Sequence, residues 1–491
     1  MQRGELMNKV LAIDMGATSI RGILGYVEKG NLKIEEVMRL SHEIIEKDGR
    51  RYWEWDKLIN TIVDTINQQT DLSSVACDTW GVDFGILNSD GALIDTPVSY
   101  RDSLHTAGFE EVKKQIDLFE LFQLTGNQIM SINSLFQYMA LKMFRIENYE
   151  EIDTILMTPD LINYLLTGNK YSEMTIASTS QMFDLKNRCW RIDLLDKLNL
   201  KSDVFAPVIE NGEYVGSTKG TLLPNLTNKN LKVYSIASHD TASAVSVTRA
   251  FFDPDCLFLS SGTWSLIGGL TDEPVLTKEA FDSDLTNETG FQGQNMFFKN
   301  ITGLYLFEKL RDELAVRDGK RLTHKEADGM TVEAKPFSYF MNIAEYDLDN
   351  LSVIDSIQEY IEKTNQTKPE TTGELLRGIY ESLVFGYMKT VKDIERISGK
   401  TFQRVQIIGG GSKIGFLNQM IADALNKEVV AGPDEASAIG NIVGQLIALG
   451  EWDSIETAYN AVAKSFEYKT FTPQNPELWE KRYAEIESLL T

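Results

Sequence analysis

Only three cysteines and four histidines occur in the 491 residues. Cys77, Cys189 and Cys256 lie far apart with no CxxC spacing, which excludes a disulfide framework and a cysteine-based zinc site, and so few histidines reinforce that. Positive charge is also scarce. Forty-eight Lys and Arg face 72 Asp and Glu, and the net charge of −24 has the wrong sign for a sequence-independent grip on nucleic acid or anionic lipid. No stretch reaches the ~18 uncharged apolar residues of a membrane span. Two catalytic signatures are missing as well. Without GxxxxGK[ST] the chain is no ordinary P-loop NTPase, and without GxSxG a hydrolase triad built on His239 has no nucleophile. These absences imply a cytoplasmic protein with neither a nucleic-acid nor a membrane partner.

What is present is ample apolar content, 43%, over a length that suits about two to four domains. Strand-like runs at residues 10–13, 75–76, 231–237 and 405–408 alternate with helical stretches, the pattern of an α/β protein. Helical spacing is clearest over residues 375–398 and 476–490. VLAIDMGATSIRGILGYV at residues 10–27 and CLFLSSGTWSLIGGL at residues 256–270 both read as β-hairpins around small turn residues. Each begins a half of the chain, so a duplicated architecture is expected, with domains 1–248 and 249–491 packed against each other rather than tethered.

Both turns can carry chemistry. Asp14 precedes Gly16, Ala17, Thr18 and Ser19, where successive amides can nest anionic oxygens and an acid can hold a nucleotide's magnesium; an ordinary hairpin turn remains the plain alternative. Ser260 to Thr263 repeat that composition. VQIIGGG, ending at Gly411, reads as a strand running into a glycine turn and a helix, a nucleotide-binding unit. As a dinucleotide fingerprint it fails, because Ile414 stands where the third glycine belongs, which weakens a dinucleotide-dependent oxidoreductase. Asp240, in the Ser-His-Asp-Thr run after residues 234–237, can take a proton from a hydroxyl nucleophile or merely cap a helix. DTWGVDFG at residues 78–85, followed by a hairpin with a Gly91 turn, suits a polyol pocket or a plain strand pair.

Together these pieces resemble the FGGY carbohydrate kinases of the actin-like ATPase superfamily, and among them those acting on L-rhamnulose. The resemblance runs from about residue 10 to about residue 449 through DMGATSIRG, DTWGVDFG, PVSYRD, SHDTASAV, FLSSGTWSLIG, NITGLYLFEKLRDE, GGGSKIGFLNQMIADAL and AGPDEASAIGN. It implies two ribonuclease H-like domains flanking a catalytic cleft, the first for sugar and phosphate and the second for nucleotide. The implied reaction converts ATP and L-rhamnulose to ADP and L-rhamnulose 1-phosphate, in L-rhamnose catabolism. Carried over by position, Asp240 is the general base, with Gly81, His239 and Thr241 at the sugar. Ala17, Thr18, Ser19, Ile20 and Arg21 cradle ATP phosphates and Asp14 holds Mg²⁺. Thr263, Asn300, Glu308, Gly410 and Gly411 complete the nucleotide site.

Two positions depart from the pattern. Glu308 replaces a Gln, placing a negative charge near ATP, and Ile414 replaces a small polar residue at the adenosine edge. The partners implied are the sugar and ATP alone, with the protein a monomer or homodimer. L-fuculose, xylulose or glycerol are alternative acceptors. A non-catalytic sugar or nucleotide sensor on the same fold would be expected to lose the acid, and Asp240 is present.

Overall fold

The computed structural model describes residues 8–345 and 351–490. They form two compact units that interleave along the chain: Met1–Phe252 with Leu270–Phe297 and Ala436–Phe466, and Asp253–Gly269 with Phe298–Glu435 and Glu467–Thr491. This grouping differs from a single cut after residue 248, because a helix from late in the chain packs within the first unit.

The sheet of the first unit has the order β5-β6-β4-β1-β2-β3, from β1 (Lys9–Met15), β2 (Ser19–Glu28), β3 (Asn31–Ser41), β4 (Leu72–Thr79), β5 (Tyr214–Ser217) and β6 (Lys232–Tyr234). β1, β2 and β3 run antiparallel, while β4 lies parallel to β1 and β6 parallel to β4. β1 is buried at every residue after Lys9, as a central strand covered on both faces must be. Leu58, Ile62 and Ile66, at four-residue spacing on α1 (Trp55–Gln68), bury one stripe into the core that holds Leu11, Ile13 and Val75.

The second unit repeats the pattern. Its strands β7 (Cys256–Ser261), β8 (Trp264–Thr271), β9 (Asn295–Thr302), β10 (Arg404–Ile408), β11 (Glu428–Ala431) and β12 (Lys469–Phe471) follow the order β9-β8-β7-β10-β11-β12 in a seven-stranded sheet whose remaining strand, Thr286–Thr289, lies outside β9. β7 is antiparallel to β8 and parallel to β10, which is parallel to β11. The two sheets therefore share one plan, a hairpin extended by parallel strands, which is the duplication expected from the two hairpin sequences.

Two local readings change. The strand expected over residues 231–237 is only Lys232–Tyr234, because Ser235 and Ser238 give their backbone groups to neighbouring segments and a side chain instead. Phe84–Leu87 pairs antiparallel with Thr154–Met157, so the Gly91 turn closes only an isolated bridge, Leu87 to Leu93. Among the described residues no helix is long and apolar enough to cross a membrane.

Candidate active site

In the first unit, parallel pairing sets Asp14 of β1 directly opposite Asp78 of β4, so both carboxyls emerge on one face near the strands' C-terminal ends. Ligands of open α/β sheets collect at such ends. Both acids are almost wholly buried. Burial raises the Asp14 pKa against the pull of Arg21, whose Nη2 donates to Oδ2 at 2.5 Å. Asp78 is pushed well above its ordinary value, by burial and then by the Asp14 charge. Its Oδ1 accepts from Asn441 Nδ2 at 2.6 Å, while Oδ2 has no hydrogen-bond partner.

The hairpin turn beside Asp14 closes by Gly16 N–H donating to Ser19 O at 3.0 Å. Thr18 is exposed, Ala17 and Ser19 are half-buried, and the Ile20 side chain is sunk in the core. Ile20 can therefore meet a ligand only through its backbone.

Asp240 is the first residue of α2 (Asp240–Ser246), and His239 occupies the N-cap position without a side-chain cap bond. Asp240 therefore stands one place inside the cap, where its carboxyl still takes a hydrogen bond from the Thr241 backbone N–H. Oδ1 accepts from Thr241 Oγ1 at 3.2 Å and lies 3.4 Å from His239 Nε2. Burial, then the Asp14 charge, pushes its pKa up to about 7. Burial alone takes His239 down to about 4, so the imidazole is neutral at pH 7.

The segment ahead of Asp240 is held by residues that local motifs do not reveal. Glu173 accepts from Ser238 N at 3.1 Å and Ser238 Oγ at 2.7 Å, and Thr175 Oγ1 accepts from His239 N at 3.2 Å. Thr79 N donates to Ser238 O at 2.9 Å, tying the loop to the end of β4.

Gly81 opens a strained turn. Its neighbour Val82 has a φ of 69°, a left-handed conformation costly for a β-branched side chain. Three contacts hold it there: Val82 N donates to Thr179 Oγ1 at 3.0 Å, and Val82 O accepts from Ser134 Oγ at 2.5 Å and Gln137 Nε2 at 3.2 Å. Asp83, expected beside a polyol, is instead fully engaged. Trp53 Nε1, Trp80 Nε1 and Gln137 Nε2 donate to it at 2.7, 2.9 and 3.0 Å. Despite these donors, burial pushes its pKa up to about 6. Its role is to lock the two indoles.

In the second unit, the turn containing Thr263 meets the end of β9. Gly303 N donates to Thr263 O at 3.0 Å and Leu304 N to Gly262 O at 2.9 Å, which sets Asn300 on the adjoining strand. Gly409 has a φ of 78°, and a Cβ at Gly411 would stand 2.1 Å from Ser261 Oγ, so the glycine turn presses against the β7 end as only glycine allows. The structure thus brings Thr263, Gly410 and Gly411 into one neighbourhood of this unit. Glu308 is neutralised: Arg311 Nη1 donates to it at 2.6 Å and Arg321 Nη2 at 3.1 Å. Ile414 is half-buried at the N-cap of α3 (Gly415–Leu425).

Residues 9–246 match the N-terminal domain, and residues 257–449 the C-terminal domain, of the FGGY family of carbohydrate kinases. The chain belongs to this family. Among its relatives, the rhamnulokinase of Bacteroides thetaiotaomicron is 35% identical over 478 residues, 96% of this chain and 97% of that one. The rhamnulokinase of Lactiplantibacillus plantarum is 34% identical over 476 residues, 95% of each chain. The gluconate kinase structure from Lactobacillus acidophilus superposes with a TM-score of 0.80 over 99% of this chain and 98% of that one, at 17% identity, which establishes the shared two-domain sugar kinase fold. As an FGGY member the chain is an ATP-dependent carbohydrate kinase.

Proposed function

We propose that this kinase transfers the γ-phosphoryl group of ATP to the 1-hydroxyl of L-rhamnulose, in the cytoplasm, as one step of L-rhamnose catabolism. The observation that carries the chemistry is Asp240, a half-buried carboxyl whose pKa is pushed up to about 7. That value suits a base that must accept a hydroxyl proton near neutrality. The choice of sugar draws on the rhamnulokinase relatives.

In this reading Asp240 takes the proton of the attacking hydroxyl, while His239, Thr241 and the Gly81 backbone orient the sugar. Phosphoryl transfer depends mainly on positioning and on neutralising phosphate charge. Ala17, Thr18, Ser19, Ile20 through its backbone, and Arg21 would cradle phosphates, and Thr263, Asn300, Gly410 and Gly411 would bind nucleotide. Residues 1–248 would then supply the sugar and phosphate contacts and residues 249–491 those to nucleotide.

A divalent cation fits the donor set at Asp14, because Asp78 Oδ2 is buried, faces a second carboxyl and has no donor. Among the described residues no three His, Cys, Asp or Glu are arranged to hold a metal alone. Mg²⁺ suits such a place, since it takes one or two carboxylates and completes its shell with phosphate oxygens and water. When bound, it would neutralise charge on the transferring phosphoryl group.

L-Rhamnulose is expected to elicit Mg²⁺-dependent ADP release with a higher kcat/KM than L-fuculose, xylulose or glycerol. Preference for another of these would overturn the sugar assignment and leave the kinase standing. For Glu308→Gln, loss of one negative charge and release of Arg321 should lower the KM for ATP about two- to fivefold, the scale of an exposed ion pair, without altering the sugar KM. An unchanged ATP KM would remove Glu308 from the nucleotide contacts.

A further inference from the structure

Glu288 takes no part in the chemistry above, yet its surroundings are unusual. It lies on the strand Thr286–Thr289, buried along its whole length, with only 6% of the residue exposed. A buried carboxyl normally gathers donors. This one has a single long contact, Thr286 Oγ1 donating to Oε1 at 3.5 Å, and Oε2 has no hydrogen-bond partner. Oε2 stands 3.3 Å from His239 Nδ1, which is itself buried without a hydrogen-bond partner. Its placement is firm, because Asn287 Nδ2 donates to Val275 O at 3.0 Å and Thr289 N to Ser178 Oγ at 2.9 Å.

The His239 ring thus sits between two carboxyls, Glu288 on Nδ1 and Asp240 on Nε2. A neutral imidazole has one N–H and one lone pair, so it can donate to one carboxylate and accept from one protonated carboxyl. Burial and then the Asp240 charge push the Glu288 pKa up to about 8, so near neutral pH its carboxyl carries a proton for Nδ1, while the other oxygens of both carboxyls stay open to further donors. A ligand completing it must bring several hydrogen-bond donors a few ångströms apart, as the hydroxyls of a polyol on neighbouring carbons do.

We propose that Glu288 is a specificity-determining residue that accepts hydrogen bonds from a sugar hydroxyl other than the one deprotonated by Asp240, with His239 bridging the two carboxyls. This rests on the reading of Asp240 as base and a ketose as acceptor. Glu288→Met keeps the unbranched shape and removes both oxygens. Replacing an unpaired buried carboxyl by an apolar group of similar size should not lower the melting temperature.

The KM of Glu288→Met for the sugar that wild type prefers among L-rhamnulose, L-fuculose, xylulose and glycerol should rise about tenfold, the upper scale of a lost neutral hydrogen bond. kcat should stay within about threefold and the KM for ATP should not move. Glu288→Gln, which keeps one acceptor, should fall between wild type and Glu288→Met, and it serves alone, with a threefold KM rise as its threshold, if the Met variant does not fold. A sugar KM below these thresholds, or a fall in kcat beyond tenfold at unchanged KM, would overturn the proposal, the second by showing that Glu288 acts through Asp240. Wild-type preference for another of the four sugars would sink the L-rhamnulose reading while leaving Glu288 to be judged on that sugar. Turnover of none would overturn both.

Discussion

Asp240→Asn is expected to lower kcat by about 10²- to 10⁴-fold, roughly 3 to 5 kcal/mol of barrier, while the protein still folds and binds ATP. Asn preserves size and the contact to Thr241 but cannot accept a proton. A capping role predicts the opposite, a loss of about 0.5 to 2 kcal/mol of stability with turnover per folded molecule preserved. His239 holds the N-cap position and Asp240 the first position of the helix.

The pH dependence sharpens the contrast. Because the Asp240 pKa is pushed up to about 7, wild-type kcat/KM should rise through that pH and fall about tenfold per unit below it. The same raised pKa makes the folded free protein lose stability as pH rises from the ordinary carboxyl range toward 7, since ionisation is easier in the unfolded chain. Asp240→Asn abolishes that titration, so its melting temperature above pH 7 should equal or exceed that of wild type. Retention of more than about a tenth of wild-type kcat would show that Asp240 is not the base.

Legibility in the sequence followed locality. Each hairpin, the Ser-His-Asp-Thr run and the glycine turn were visible because a few adjacent residues carry both the backbone conformation and the chemistry. Glu173 and Glu288 were not, since each reaches residues 238–240 from a distant segment and neither sits in a motif. For Asp83 the sequence left a polyol pocket and a plain strand pair open: it shows an acid beside Trp80 and Gly81, whereas only the fold delivers the second indole, from Trp53, that saturates it. The grouping of the helix Ala436–Ala448 with the first sheet was equally hidden, because nothing in a buried apolar helix names the sheet it covers.

That helix, α4 (Ala436–Ala448), provides the second large expected effect. A Cβ on Gly440 would stand 2.0 Å from Ser243 O and 2.5 Å from its carbonyl carbon, in the backbone of α2. Neither helix offers a flexible side chain to yield there. On its other contacts α4 is clamped to the sheet: Asn441 Nδ2 donates to Asp78 Oδ1 at 2.6 Å and to Ala76 O at 3.2 Å, and Gln445 Nε2 donates to Leu11 O at 3.1 Å. The element that must give way is therefore α2, which begins at Asp240. Gly440→Ala should cost about 1 to 3 kcal/mol of stability by overpacking. Displacing the base by about 1 Å should lower kcat/KM per folded molecule by about 10²-fold, although no ligand is touched. Gly444→Ala, one turn along the same helix, is the control. Its Cβ meets only the Ile236 side chain, at 3.0 Å, which can shift, and helix propensity favours Ala by about 1 kcal/mol. Near wild-type kcat/KM is expected there, and a Gly440→Ala enzyme within threefold of wild type would show that α2 is not held in place by this contact.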